Sequence, residues 1–370
     1  MSARTLFRRR VACPRHPFDG HACPAEPPVL MLLALVGMTG LALALPPAAL
    51  AWGDRAHVII TEEAIDRCPE PLRGLFSGED DLKRLVQAAL APDQRRKKDA
   101  AGWDEEHPKH FFDIDAITQE PYPFKDFPRA RAAAEKQFGA EALKTGGTAP
   151  WTTVDALGAL VDALTAGRTD DVFLYAGDLL HYGADLHQPF HVSKNYDGKM
   201  SGNDGIHKAL EIGLVNRNAD FYKAQVRQGR YELACLSSPL SDVFDWLIEA
   251  WSRQKPVLEA ETIARQKANY NPAKTLADLD GDTSDAAKAY YAAFKQELEK
   301  RNSLEAAAMR DAAGHVAELL YTAWVRAGKP LSLAPPPPRP EPAPTVPYWA
   351  IGAGVALLIL LFWPRRRPAS

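Results

Sequence analysis

The sequence predicts an all-α fold: one multi-helical domain, preceded by an export segment and followed by an apolar tail. Three observations carry this expectation. Apolar residues recur at helical spacing through most of residues 52–330. No alternating β-branched run interrupts them, and Gly or Pro marks the short connections. Finally, ligand-type side chains fall four residues apart, His181 with Asp185 and His207 with Glu211, the step that puts both members on one helix face.

The chain has 370 residues, 25% charged and 46% hydrophobic, enough for one large domain or two small ones. A formal net charge of −3 gives no basic footprint for duplex binding, which needs clustered Lys and Arg to release counterions. A small substrate or a short strand is compatible with it. Residues 1–51 read as an export signal: Arg4, Arg8, Arg9 and Arg10, an apolar run from Val29 to Leu45, then Ala49-Leu50-Ala51 as a small-x-small cleavage site. Two of the four cysteines, Cys68 and Cys235, lie beyond it. Export permits a disulfide between them, and two buried thiols fit as well.

Cleavage after Ala51 exposes Trp52 as a new amino terminus, whose α-amine and carbonyl oxygen can chelate a metal with His57 nearby. Without export, Trp52 reads as an anchor of the first helix and His57 as a core residue. That helix is expected through about Arg67, with a capped start near Thr61 and a break at Pro69 and Pro71. A second, roughly Asp80 to Leu90, is expected to end at Ala91-Pro92-Asp93. Asp93 opens a charged stretch, Arg95 to Lys98, that reads most simply as solvated surface, with Lys or Arg near phosphate as the minority reading.

In His107-Pro-Lys-His110-Phe-Phe-Asp113, His110 is the expected ligand and His107 the exposed one. Phe111 and Phe112 read as core more readily than as a substrate platform. Further helices are expected over Ala132–Leu143, Thr153–Ala166 and Asp170–Gly183.

The densest chemistry is His181-x3-Asp185-x5-His191, with Gln188-Pro189 inside it, then His207-x3-Glu211. A lone histidine on an apolar face is more often a hydrogen-bonded core residue. Two i,i+4 pairs with a fifth ligand type between them are costly to bury unless a cation compensates their desolvation, and imidazole with carboxylate suits zinc. Pro189 should end or kink the first of these helices, leaving His191 just beyond it. His187 is not required by the spacing and reads as a surface or supporting residue.

Four more helical segments follow: Leu240 to Arg253, Ala260 to Tyr270, Ser284 to Lys300 and Leu304 to Ala327. His315 is the lone histidine among them, so they read as packing partners. Residues 331–347 form a proline-rich spacer. Residues 348–370 contain an apolar run, Tyr348 to Trp363, before Arg365-Arg366-Arg367. Its sixteen residues fall short of the ~20 that cross a bilayer comfortably. A membrane anchor and a sorting tail are both compatible, and the arginines would place the helical domain on the outer face of the inner membrane, in a periplasmic or extracellular setting.

Taken together, Trp52, His57, Asp93, His110, His181, Asp185, His191, His207 and Glu211 resemble, in order and type, the ligands of the zinc-dependent phospholipase C and single-strand nuclease superfamily. The resemblance spans about residues 52–327. It implies a mostly helical, monomeric domain with three zinc ions. The first set is Asp93, His110, His181 and Asp185. The second is Trp52, His57 and the shared Asp185, and the third is His191, His207 and Glu211. Asp93 would also orient or deprotonate the attacking water. Glu211 looks like the phospholipase branch and implies phospholipid cleavage. The close Trp52 to His57 spacing, and Phe111 and Asp113 as base-contacting residues, look like the nucleases, so single-stranded nucleic acid stays open as substrate. A non-enzymatic surface protein held together by zinc is the third reading.

Overall fold

The structure, a computed structural model, describes residues 53–97, 100–229, 231–272 and 282–333. Trp52, the export segment, most of the proline spacer and the apolar tail lie outside the described residues. The described residues all belong to one compact unit ending at Ala334. Every regular element among them is helical, as the apolar spacing requires. No helix among them is long and apolar enough to cross a membrane.

The Thr169–Asp185 helix is the centre of the packing, with Ala149–Thr165 and Glu79–Arg95 against it and Leu304–Arg326 closing over them. Its inner face, Val172, Phe173, Ala176, Leu179 and Leu180, is buried, which is the helical stripe the sequence displays. Gly177 permits a close crossing with the Glu79–Arg95 helix. A Cβ there would lie 2.5 Å from the Ala88 carbonyl carbon, so any side chain would push the two helices apart and carry His181 away from its neighbours.

Several boundaries differ from the sequence expectation, each for a local reason. The first helix begins at Asp54, not near Thr61, and Thr61 is buried on its inner face. The second runs Glu79–Arg95 straight through Pro92. Proline there removes one donor, and packing of Leu85 and Ala89 against the central helix holds the remaining turns. The expected Ala132–Leu143 helix is two, Arg131–Phe138 and Ala140–Gly146, divided at Gly139 with φ 88°. The central helix stops at Asp185, four residues before Pro189, which opens a separate 3-10 turn, Pro189–His191. The later helices lie at Pro239–Ser252, Gln254–Ala268, Asp285–Glu299 and Leu304–Arg326; three are within a residue or so of expectation, and the second begins six residues before the expected Ala260.

Phe112 is fully buried and meets Phe127, Trp151 and Phe244 edge-on, at 5.6, 5.2 and 5.7 Å. A buried aromatic of this kind contributes about 1.5–3 kcal/mol. The extended backbone at Phe111, φ −150° and ψ 166°, then sends Phe111 and Asp113 to the opposite side. Gly147 clamps this segment: its φ is 99°, and a Cβ would fall 2.0 Å from the Phe111 carbonyl oxygen. Cys68 and Cys235 are not joined in a disulfide. The Cys68 thiol donates to the Ala64 carbonyl at 3.3 Å, and burial pushes its pKa up to about 12.

Candidate metal centre

Six segments bring ligand-type side chains to one place. His57 comes from the first helix, and Asp93 from the last turn of Glu79–Arg95 that Pro92 fails to break. His110 closes the 3-10 turn His107–His110, and His181 and Asp185 end the central helix. His191 lies in the Pro189–His191 turn. His207 and Glu211 straddle the passage from the short Ile206–Lys208 helix into a π-helical turn, Ala209–Leu214. Such widened turns recur at functional sites. Seven of these eight side chains are buried, and His207 is half-buried.

Asp185 is the hub. Its Oδ2 lies 3.1 Å from His110 Nδ1 and 3.3 Å from His181 Nε2, while Oδ1 lies 3.4 Å from both His57 Nε2 and His191 Nδ1. Asp93 Oδ1 is 3.7 Å from His110 Nδ1 and from His181 Nε2. On the far side, His191 Nε2 is 3.1 Å from His207 Nε2 and 3.4 Å from Glu211 Oε2, and His207 Nε2 is 3.0 Å from that same oxygen. Tetrahedral ligands held at zinc's usual bond lengths stand roughly 3.3 Å apart, close to these separations.

The proton inventory favours a cation as well. His181 Nδ1 donates to the Ala89 carbonyl at 2.8 Å, so Nε2 presents a lone pair, and it faces His110 Nδ1 at 2.9 Å. His207 Nδ1 likewise donates to the Tyr196 carbonyl at 2.9 Å, aiming its Nε2 lone pair at His191 and Glu211. Asp185 Oδ1 and His191 Nδ1 are buried with no hydrogen-bond partner, as is Asp93 Oδ2. Lone pairs converging without donors in a buried pocket are expensive alone and suited to a metal ion. The residues therefore fit zinc.

Charge and burial compete at each member. Burial alone would raise the carboxyl of Asp185, yet the His181 and His191 rings hold it well below the usual range; His207 does the same for Glu211. Burial lowers the pKa of His57 and of His110. At His181 and His207 burial also pulls down, but facing carboxylates outweigh it and both are raised.

A cleft of about 680 Å³ opens over this cluster. Asp93, His110, His191, His207 and Glu211 form its floor, Arg96, Lys97 and Lys208 supply positive charge, and Phe111, Asp113 and Tyr196 line its wall. Burial, helped by Asp115, pushes the Asp113 carboxyl up to about 7.

Two histidines differ from expectation. His107 is half-buried rather than exposed, stacks on Trp103 at 4.9 Å between ring centres, and lines the cleft. His187 is buried away from the cluster: its Nδ1 donates to the Gly183 carbonyl at 2.9 Å and its Nε2 meets His315 Nδ1 at 2.7 Å. The charged stretch after Asp93 is not simply solvated surface either. Arg95 bonds Asp178 at 2.7 Å, and Arg96 pairs with Asp93 Oδ1 at 2.8 Å.

Sequence reasoning passed over two supporting residues. Glu106 is buried, accepts from the Tyr182 hydroxyl and from Lys109, and has Oε1 3.6 Å from His110 Nε2. The Gln188 side chain donates to Glu211 Oε2 at 3.2 Å and accepts from the Phe190 amide at 2.5 Å. Glu106 and His110 stand four residues apart, a signal present in the sequence; Gln188 gave none beyond its place beside Pro189.

No protein-family model matches this chain, and no curated protein matches it. Among solved structures it is similar to the alpha toxin of Clostridium absonum, at 16% identity over 72% of this chain and 63% of that one, with a TM-score of 0.38. It is also similar to the alpha-toxin of Clostridium perfringens from avian strain SWCP, at 13% identity over 74% and 66%, with a TM-score of 0.40. The chain thus spans less than two thirds of the length of either structure.

Proposed function

We propose that this chain is an exported zinc-dependent phosphodiesterase of the phospholipase C type, cleaving a phospholipid to diacylglycerol and a phosphorylated head group. The observation that carries the reading is the convergence of eight His, Asp and Glu side chains, several with buried lone pairs that no donor meets, at the floor of a cleft that also carries Arg96, Lys97 and Lys208. His110, His181, Asp185 and Asp93 would hold one zinc, His57 with Asp185 and the Trp52 terminus a second, and His191, His207 and Glu211 a third. Zinc so held supplies a nucleophile from water at neutral pH and positive charge for the phosphoryl oxygens.

The remaining steps belong to the protein. Asp93 Oδ2, buried without a hydrogen-bond partner and bordering the cleft, is the base that accepts a proton from the attacking water. The water oxygen bonds to phosphorus as the bond to the glycerol oxygen breaks, and the glycerol oxygen takes up the proton that Asp93 accepted, which returns Asp93 to its carboxylate form. Arg96, Lys97 and Lys208 face the negative charge of the diester. Gln188 donates to Glu211 and the Glu106 carboxylate faces His110 across 3.6 Å, positions from which outer groups steady metal ligands.

A nuclease or nucleotidase reading has one observation in its favour. Phe111 and Asp113 point together into the cleft while Phe112 fills the core, so an aromatic face and a carboxyl with raised pKa stand beside the floor, able to stack and hydrogen-bond a base. The deciding experiment compares kcat/KM on dispersed short-chain phospholipid with single-stranded DNA and 3′-nucleotides in one zinc and salt condition. Faster release of diacylglycerol supports the proposal. Nucleic acid cleaved tenfold faster, about 1.4 kcal/mol in transition-state binding, replaces it with the nuclease.

A further inference from the structure

We propose that the loop joining the two halves of the site, residues 194–201, is the surface with which this protein meets a phospholipid bilayer. The proposal rests on the phospholipase reading above and says how such a substrate would reach the cleft.

Tyr196 is 53% exposed and Met200 68% exposed. They are two of five large hydrophobic side chains so exposed among the described residues, and they lie on one short loop. Exposed apolar groups clustered this way mark an interaction surface. Lys194, Lys199 and Lys208 stand exposed around them. Lys199 reaches Asp197 at 3.9 Å, a loose contact that leaves its amine near the surface.

The apolar tips are presented by a frame. Asn195 Oδ1 accepts from the Met200 amide at 2.9 Å, and Asn195 Nδ2 donates to Ser201 Oγ at 3.1 Å. Asn203 ties the end of the loop to the Gln254–Ala268 helix through Glu261 at 2.6 Å and Thr262 at 2.9 Å. The loop is also continuous with the site. Tyr196 lines the cleft, its carbonyl accepts from His207 Nδ1, and Lys208 lines the cleft next to His207.

This combination fits a lipid surface by its chemistry. A tyrosine ring sits at head-group level, a methionine enters the acyl boundary, and lysine stems extend so that their amines meet lipid phosphates. Charge complementarity selects a bilayer containing anionic lipid. Because the loop borders the cleft, docking it would put the cleft mouth against head groups whose acyl chains stay in the membrane.

The test uses the full chain and follows peroxide oxidation of Met200 by peptide mass spectrometry, in buffer and with vesicles of phosphatidylcholine and phosphatidylglycerol. Sulfoxide formation at Met200 should slow several-fold with vesicles, while buried Met309 reacts equally slowly in both. The double change Lys194→Glu, Lys199→Glu should restore much of the Met200 rate. An unchanged Met200 rate in the presence of vesicles overturns the proposal, whether or not the chain binds them elsewhere. Protection produced by raising protein concentration alone overturns it in favour of a second copy. Diacylglycerol release with Met200 unprotected leaves the phospholipase reading standing and removes this surface. Protection without any diacylglycerol does the reverse.

Discussion

His191 Nδ1 lies 3.4 Å from Asp185 Oδ1, and neither atom has a hydrogen-bond partner. The other nitrogen of the same ring faces His207 and Glu211 at 3.1 and 3.4 Å. One imidazole therefore joins the carboxylate hub to the separate ligand group on its far side. The two groups behave as one centre, and removing the hub should be felt in both.

Asp185→Asn is accordingly the most damaging single substitution expected. The amide keeps the shape but gives up one acceptor and the negative charge. Metal analysis of the purified variant should show a loss of at least one equivalent relative to the parent, with activity falling by more than for His57→Asn. Equal metal content in parent and variant would remove Asp185 from its bridging role.

Metal removal should also appear as lost stability, since a ligand that binds only the folded state stabilises it by mass action. One ion at 100 times its Kd contributes about 2.7 kcal/mol, about 5–11 °C in Tm for a domain of this size. The purified protein should carry about three zinc ions. Chelation should lower Tm by at least one such step, and added zinc should restore it. Calorimetry showing the same Tm before and after complete chelation would contradict a metal centre in the fold.

Much of this centre was legible because its members come in local steps. His181 with Asp185 and His207 with Glu211 announce themselves at four-residue spacing, and the apolar stripe of Val172 to Leu180 fixes which way they face. Asp93 was harder to place. It reaches the cluster because the Glu79–Arg95 helix continues past Pro92, against the local rule and on the strength of tertiary packing. Glu106 was missed because it sits in a charged run that reads as surface, and Tyr182 and Lys109 bring partners to it only in three dimensions. The early boundary near Thr61 failed for a related reason: a hydroxyl that could cap a helix is here buried inside one.

Glu106→Gln tests that missed residue. Its carboxylate faces His110 Nε2 at 3.6 Å and is held far below its usual pKa, since the facing His110 ring, the bonds from Tyr182 and Lys109 and the Arg95 charge outweigh burial. The neutral amide should weaken metal affinity or activity by about 10- to 100-fold, as loss of an outer partner does. Excess zinc should recover the activity, which a merely misfolded variant would not show. Titration with a zinc buffer and a parallel melting curve make the comparison.

His187 gives the acid side of the stability profile. Burial, followed by the Arg253 charge, depresses its pKa from 6.5 to about 4. Between those values the unfolded chain binds more protons than the folded one, so its contribution is whole above 6.5 and is lost as pH falls toward 4. The cost is on the order of 1.4 kcal/mol per unit of depression. His187→Gln keeps a donor for the Gly183 carbonyl and an acceptor for His315. The difference in Tm between parent and variant should therefore shrink or reverse across this window. Parallel curves from pH 7 to 4 would show that His187 does not titrate there.

The last prediction separates the two substrates through the cleft wall. Phe111 and Asp113 share the open side of one extended segment, clamped by Gly147 and anchored by Phe112 in the core. If a nucleobase binds there, Phe111→Ala removes stacking worth about 1–3 kcal/mol, a loss of roughly 5- to 140-fold in kcat/KM on single-stranded DNA at about 1.4 kcal/mol per decade. Asp113→Asn would then alter base preference as well. On a dispersed short-chain phospholipid the same two substitutions should change kcat/KM only a few-fold, because the diester is addressed by Arg96, Lys97 and Lys208 and by the floor of the cleft. The phospholipase reading therefore expects lipid turnover to survive Phe111→Ala and to fall when Arg96 and Lys208 are replaced by Gln. Lipid turnover that is indifferent to both basic residues, together with DNA cleavage that collapses on loss of Phe111, would assign the cleft to nucleic acid.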